Sequence, residues 1–105
     1  MASVYSVRLA DGNESSAGSG TAYTAPTGVV IVVRCLTVVT FPGTTFGGIY
    51  RTASVAYLAG RLTGGADLEI ATINMRHVLN AGETLTWQFQ GGGGTWIISG
   101  YSLDT

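Results

Sequence analysis

The sequence contains no lysine, one cysteine and one histidine, and charged residues make up only 10% of its 105 positions. A charged share of about 25% is usual for soluble domains. Cys35, standing alone, excludes an internal disulfide and any zinc site built from several cysteines. His77, also alone, excludes a site built from clustered histidines. We therefore expect neither a metal nor a cofactor.

Patterns typical of catalysis are also lacking. No Gly-x-Ser-x-Gly sequence occurs, and no nucleophile lies near His77 at a recognisable spacing. The glycines at 91–94 are not followed by the lysine and helix of a phosphate-binding loop. Asp67 and Glu69 would share a strand face, but edge charges that discourage aggregation explain them more simply. The segment 11–14 lacks most of the ligand pattern of a calcium loop. The sequence predicts a protein that is not an enzyme.

The small number of charged residues bears on which partners the chain can bind. Five arginines and six acidic residues give a net charge of −1. So few charges leave a small domain poorly protected against association, which predicts that the chain docks to copies of itself or to a larger assembly. No basic patch favours nucleic acid as a partner, and no apolar run approaches the roughly 20 residues that a membrane helix needs. The first eight residues do not resemble a secretory signal, so synthesis in the cytoplasm is expected.

Turn residues recur at short intervals, and no segment has a capped helical period. The pattern predicts an all-β chain of seven or eight strands without substantial helix. An antiparallel sandwich, jelly-roll-like and formed as one domain over residues 1–105, fits best, and a compact β-barrel is the alternative. We expect strands at 4–9, 21–25, 29–40, 49–59, 68–73, 85–90 and 95–103, with loops at 11–20, 46–48 and 60–67. Segment 74–79 is ambiguous, and segments 41–44 and 80–83 predict tight turns in which Gly43 and Gly82 take a positive φ.

The strand predicted at 29–40, "VVIVVRCLTVVT", is apolar on both faces when read with strict alternation. Sandwich strands normally alternate apolar inside with polar outside, so a second cover is expected, and a neighbouring subunit could supply it. Arg34 would then pair with a carboxylate or carbonyl across that interface, or else extend to water near an edge. Cys35 is expected to be a small buried hydrophobe.

The stretch "QFQGGGGTWII" at 88–98 contains four consecutive glycines. On its N-terminal side Leu85, Trp87 and Phe89 alternate with polar residues, which predicts an inward aromatic face. After the glycines, Trp96 and Ile98 point one way and Ile97, with Tyr101 and Leu103, the other. We expect the glycine run to close a hairpin between two core strands.

Arginine and aromatic residues contribute most per residue to protein interfaces, which makes a few positions candidates for docking. The candidate interface residues are Arg34, Arg51, Tyr57, Arg61 and Trp96. Exposed aromatics can also stack on sugars, so a carbohydrate-binding module acting through Trp87 or Trp96 remains an alternative. A small hydrolase or isomerase relying on His77 is a third and weaker hypothesis.

The order of three segments resembles that of a known group of proteins. The segments are 21–28 leading into the valine-rich strand, 78–85, and 99–103. Together they resemble the small β-sandwich virion proteins of tailed bacteriophages, particularly those of actinobacterial hosts. That resemblance implies a structural protein of the virion, a minor tail component or alternatively a capsid decoration protein, self-associating and usually trimeric. It implies synthesis in the bacterial cytoplasm and a final location in the virion.

Overall fold

The computed structural model describes residues 7–53, 56–62 and 69–104. Those residues form eight β-strands in two four-stranded antiparallel sheets, and no helix occurs among them. The strands are β1 (Val7–Glu14), β2 (Gly18–Thr24), β3 (Val29–Thr40), β4 (Phe46–Arg51), β5 (Ala56–Leu62), β6 (Glu69–Leu79), β7 (Thr84–Gln90) and β8 (Gly94–Asp104).

The strand order defines a jelly roll. Sheet A has the order β1-β8-β3-β6 and sheet B the order β2-β7-β4-β5. Among the strands described, β4 and β5 alone are consecutive in sequence and adjacent in a sheet; every other connection crosses from one sheet to the other. Two interlocking Greek keys of eight strands produce this pattern. The predicted antiparallel sandwich is confirmed.

A single apolar core lies between the sheets. Sheet A contributes the fully buried Val33, Leu36, Val38 and Ile98, and further residues of the core cluster are Ala22, Ala25, Ile31, Ile49, Leu79, Leu85, Phe89 and Trp96. In both sheets, a glycine lies in a strand where a large ring of the neighbouring strand packs over it. A Cβ on Gly47 would approach the Phe89 ring to 2.6 Å. Aromatic rings thus pack directly on the backbone at glycine positions in the core.

The glycine run does not close a hairpin, which corrects the expectation from the sequence. The strands that it joins, β7 and β8, lie in different sheets. Its backbone is held by the loop between β3 and β4: the Thr44 hydroxyl donates to the Gly93 carbonyl at 2.7 Å, and the Phe41 amide donates to the same oxygen at 3.1 Å. A Cβ on Gly93 would collide with the carbonyl of Glu14. The glycines are therefore needed for close packing, and both flanking strands belong to the core as predicted.

The remaining predictions of strand and turn positions are confirmed in part and corrected in part. The strand at 29–40 is confirmed at both ends, and the turns at Gly43 and Gly82 have the predicted positive φ of 88° and 85°. Segments 11–14 and 46–48, expected as loops, are strand because their partners β8 and β7 pair with them. The long strand expected at 49–59 is two strands, β4 and β5, and β5 continues through residues 60–62, which were expected as a turn. Residues 4–6 lie outside the described part of the chain.

Candidate interface on the outer face of sheet A

One face of sheet A packs on sheet B, and the opposite face, here called the outer face, is turned away from it. Strand register places alternate residues of β3, β8, β6 and β1 there. The outer face consists of Val30, Val32, Cys35, Thr37 and Val39 on β3; Thr95, Ile97, Ser99, Tyr101 and Leu103 on β8; Ile70, Thr72, Asn74, Arg76 and Val78 on β6; and Arg8, Asp11 and Asn13 on β1.

An apolar cluster occupies one end of the outer face. Val32 lies between Tyr101 and Val78 on the neighbouring strands, and Val30 lies beside Leu103. Val78 is 45% exposed and Leu103 is 40% exposed, although both are large hydrophobic side chains. At the other end Ile70, which pairs with Val39, is 60% exposed. The outer face thus presents apolar surface at both ends.

A β-bulge at Arg34 separates these two ends and explains how one strand can be apolar on both sides. The register shifts between Val33 and Cys35 against both neighbouring strands. Before the bulge Ile31 and Val33 point into the core, and after it Leu36 and Val38 do so. Strict alternation across 29–40 was therefore the wrong reading, because the extra residue reverses the direction of every later side chain.

Near the bulge, neighbouring strands carry two arginines. Arg34 lies opposite the Met75-Arg76 pair of β6, since Val33 pairs with His77 and Cys35 pairs with Asn74. Both arginine side chains are exposed. Arg34 lies on a central strand rather than near a sheet edge. The predicted interfacial pairing of Arg34 stays a prediction, and Arg76 lies on the neighbouring strand near it in register.

Cys35 sits next to the bulge, half-buried on the outer face, and is a free thiol. It was expected in the core, but the bulge turns it outward. Its position near the middle of the sheet makes it a natural reporter for this surface.

A shallow polar groove marks the β1 side of the outer face. It has a volume of about 310 Å³ and is lined by Arg8, Asp11, Gly12, Asn13, Thr95 and Ile97. The Arg8 guanidinium lies 3.1 Å from the Asp11 carboxylate, and the Thr95 hydroxyl lies 3.4 Å from the Asn13 side-chain oxygen. Asp11 belongs to a strand and pairs with Arg8, so the segment 11–14 is extended rather than looped.

Arg51 finds its partner within the chain. Its guanidinium lies 2.8 Å from the Glu83 carboxylate, which also accepts a hydrogen bond of 2.7 Å from the Asn80 amide. The Asn80 hydrogen bond, more than Arg51, holds the pKa of Glu83 below its usual value. Burial lowers the pKa of nearby His77, and Arg51 lowers it further while Glu83 opposes them. Arg51 therefore forms an ion pair within the chain.

His77 lies on β6 with its side chain half-buried. Its Nε2 is buried and has no hydrogen-bond partner among the described residues. No group of three or more histidine, cysteine, aspartate or glutamate side chains gathers within residues 7–53, 56–62 and 69–104. In the same part of the chain no helix is long and apolar enough to cross a membrane.

Trp96 is not an interface residue, which corrects the expectation from the sequence. It is 4% exposed and lies in the core, where a Cβ on Gly12 would approach its ring to 2.5 Å. Trp87 also faces the core, with its ring centroid 5.9 Å from that of Phe89. Stacking on a sugar through Trp96 is therefore ruled out in this fold. The side chains of Tyr57 and Arg61, both on β5, lie outside the described part of the structure.

The exposed residues of β6 were missed by sequence reasoning. Arg76 and Val78 lie in segment 74–79, which is ambiguous from sequence, whereas Ile70 lies in the strand predicted at 68–73 but carries no local sign that its side chain is exposed. The signal for β8 was readable: Ile97, Tyr101 and Leu103 were placed opposite Trp96 and Ile98, and the structure confirms this division. Recognising that this opposite side was a surface required the strand order of sheet A.

No family model matches the chain, and no curated protein matches it. Several solved structures are similar in overall shape, among them the following two. The Eiger TNF of S. frugiperda aligns with a TM-score of 0.46 and 16% identity. The alignment covers 82% of this chain and 66% of that protein, a little under two thirds of its length. The Drosophila NLP core aligns with a TM-score of 0.45 and 16% identity, covering 95% of this chain and 97% of that one.

The second of these structures was described for the insight it gives into pentamer formation and histone binding, which are properties of that protein. Neither likeness is close enough to carry a conclusion about this chain. The jelly-roll assignment rests on the strand order of the two sheets.

Proposed function

We propose that this chain is a non-enzymatic structural subunit that associates with copies of itself through the outer face of sheet A. One observation carries the proposal: the outer face exposes Ile70, Val78 and Leu103 at 60%, 45% and 40%. Large apolar side chains gathered on one face of a small domain mark a protein contact. The low charge of the chain supports the same conclusion.

The size of the outer face suits a stable interface. Four strands about 4.8 Å apart, with 8, 11, 12 and 11 residues at about 3.3 Å per residue, cover roughly 670 Å². A standard protein interface buries about 800 Å² on each partner. The outer face is therefore close in size to one side of a standard interface.

The setting that we propose for this assembly is a bacteriophage virion, with the chain as a minor tail protein. The support is the resemblance of segments 21–28, 78–85 and 99–103 to small sandwich proteins of tailed phages. Decoration of the phage head is the alternative setting. Detection of the chain in purified tails by mass spectrometry would favour the tail, and detection only in heads would favour decoration. Absence from both would refute the virion role.

Size-exclusion chromatography with light scattering tests the self-association directly. The wild-type chain is expected to exceed 10.8 kDa in mass at micromolar concentration. Val78→Lys should shift it towards the monomer, because a desolvated ammonium is costly in an apolar contact. Val7→Lys is the matched control: Val7 is 55% exposed but lies on β1, at the opposite edge of sheet A, facing inward. Equal effects of the two substitutions would contradict the proposed surface.

Carbohydrate binding is a second candidate, now centred on the polar groove. Arg8 and Asp11 offer a donor and an acceptor side by side, Asn13 and Thr95 add an amide and a hydroxyl, and Ile97 provides an apolar floor. Such a set can hydrogen-bond sugar hydroxyls. Glycan-array binding that Asp11→Asn weakens and Glu14→Gln leaves unchanged would support it. No binding on the array would dismiss it.

A further inference from the structure

Strand β6 forms one edge of sheet A and has little protection for an edge strand. It pairs with β3 on one side, and no other described strand pairs with it on the other. An edge presents unpaired backbone N–H and C=O groups, which proteins commonly guard with lysine, proline or inward-pointing charges. Residues 70–79 contain no lysine and no proline, and Arg76 is their one charged residue. The edge of β6 therefore offers a backbone to which a further strand can add.

Exposed apolar side chains are concentrated on β6. Five large hydrophobic side chains of the described residues are exposed, and three of them lie on this strand: Ile70 at 60%, Ile73 at 36% and Val78 at 45%. Ile73 is on the inward side, because its register neighbour Leu36 is fully buried in the core, yet the edge leaves it partly uncovered. A strand added beside β6 would cover apolar side chains on both sides of the sheet.

The polarity of the outward side chains of β6 is symmetrical about Asn74. Two residues away on either side are the polar and exposed Thr72 and Arg76. Four residues away on either side are the exposed apolar Ile70 and Val78. Asn74 is also the middle residue of the 11 that form the strand. Two β6 strands that pair antiparallel about Asn74 would therefore overlap along their whole length.

This register sets like side chains opposite each other. Ile70 of one copy lies opposite Val78 of the other, and Arg76 lies opposite Thr72. On the inward side Ile73 lies opposite Met75, which packs against the core cluster. Such apolar cross-strand pairs stabilise a sheet. The two apolar ends and the polar middle of the edge thus each meet their own kind.

Other registers match less well. A pairing centred on Ile73 would set Ile70 against Arg76, and one centred on Met75 would set Val78 against Thr72. A pairing centred on Arg76 would bring two arginines directly opposite each other, which is unfavourable. The sequence of β6 therefore selects the register centred on Asn74.

We propose that two copies of this chain pair edge to edge along β6, antiparallel and related by a two-fold axis between their Asn74 residues. The two four-stranded sheets A then form one sheet of eight strands. A two-fold contact needs a self-complementary surface, which the symmetry of β6 supplies. This contact goes beyond the docking through the outer face proposed above, because it uses the edge of the sheet, and either contact can form without the other.

Cysteine cross-linking tests the pairing and its register. Directly opposite residues of antiparallel strands have Cβ atoms about 4.5–5.5 Å apart, close enough for a disulfide. Asn74→Cys should therefore give a covalent dimer on oxidation with diamide, seen by electrophoresis without reductant. The test needs a Cys35→Ser background, since Cys35 is the register neighbour of Asn74 within the chain.

Thr72→Cys in the same background is the matched control. Thr72 is exposed on the same face of β6. In the proposed register the two copies of residue 72 lie about 13 Å apart along the strands, beyond the reach of a disulfide. Cross-linking at position 72 should be about tenfold slower or more than at position 74, because only chance collisions contribute.

Charge at Thr72 tests the same register independently. Thr72→Arg, added to the chain with Asn74→Cys and Cys35→Ser, sets two pairs of arginines opposite each other and should slow cross-linking about fivefold or more. Adding Arg76→Thr exchanges the two residues, so cross-linking should return to its original rate. Thr37→Arg is the control: the Thr37 hydroxyl lies 3.3 Å from that of Thr72, but on β3 rather than at the edge. It should leave cross-linking at position 74 unchanged.

The outcomes separate the edge contact from docking through the outer face. Cross-linking at position 74 but not 72, slowed by Thr72→Arg and restored by the exchange, supports the pairing of β6. Equal cross-linking at both positions overturns the proposed pairing. Assembly in light scattering without cross-linking at position 74 also overturns it, while docking through the outer face stands. A chain that stays monomeric and does not cross-link overturns both proposals.

Discussion

Replacing Ile98 by alanine should cost far more stability than replacing Ile97, although the two residues are adjacent and identical. Ile98 is 0% exposed in the core cluster and lies between Ala10 and Leu36 of the flanking strands. Ile97 is half-buried on the outer face, beside Thr37 and Asp11. The pair therefore compares one side chain in two environments on a single strand.

The magnitude for Ile98 follows from its burial. Buried Ile→Ala substitutions cost about 2–5 kcal/mol because they lose apolar transfer energy and leave a cavity. β8 is paired on both sides, by β1 and β3, so the sheet is poorly able to collapse around the gap. We expect a loss of about 3–4 kcal/mol, which corresponds to a fall in Tm of roughly 12–30 °C for a domain of this size.

For Ile97→Ala the expected loss is about 1 kcal/mol or less, since only part of the side chain leaves water on folding. Urea unfolding followed by tryptophan fluorescence measures both values, at a dilution where the chain is monomeric so that association does not contribute. At higher concentrations, where the chain assembles, Ile97→Ala should weaken the assembly more than Ile98→Ala does, because Ile97 belongs to the outer face. Equal losses in the monomer, or a larger loss for Ile97→Ala, would refute the inward and outward directions assigned to β8.

Three other perturbations test separate parts of the structure. A chain ending at Gly94 lacks a strand that lies between β1 and β3, and we expect circular dichroism to show it unfolded; a folded spectrum would contradict the strand order. Burial lowers the pKa of His77 in the folded chain below the ordinary 6.5, so the unfolded chain binds the proton first and stability falls as the pH drops through about 6.5. His77→Gln should reduce the dependence of the unfolding free energy on pH, measured by urea titrations at several pH values. An unchanged pH dependence would show that it arises from other groups. Gly47→Ala should destabilise by about 1–3 kcal/mol because its Cβ would meet the Phe89 ring at 2.6 Å, and a neutral effect on Tm would show that the ring can move.

The sequence predicted the sandwich because most of its strands carry a local signal. The strand at 29–40 is rich in β-branched residues, and 85–90 alternates apolar with polar side chains, so both were found with accurate ends. Turns that depend on a positive φ at Gly43 and Gly82 were equally readable, because few other residues adopt that backbone conformation.

Features that depend on distant pairing were not predictable in this way. Gly47 and Gly12 looked like loop residues, but each is a strand position that a large ring from another strand covers. The glycine run at 91–94 looked like a hairpin because its flanks are strands, and nothing local shows that those strands belong to different sheets. Tertiary contacts overrode local propensity in all three places.

The candidate interface was only partly readable for the same reason. Its apolar character was visible in the two-faced strand at 29–40, yet the bulge at Arg34 changed which residues form each face. Trp96 was assigned to the interface on residue type, whereas its burial beside Gly12 depends on β1 pairing with β8. Arg76 gained meaning only when β6 placed it opposite Arg34.

Reactivity of Cys35 tests the central claim, self-association through the outer face of sheet A, most directly. Cys35 is the chain's only cysteine and lies half-buried near the middle of that face, so no substitution is needed to place a probe there. The rate of labelling by a thiol reagent is expected to fall as the chain concentration rises, in step with the mass found by light scattering. A labelling rate that stays constant while the mass grows would show that the copies meet through another surface.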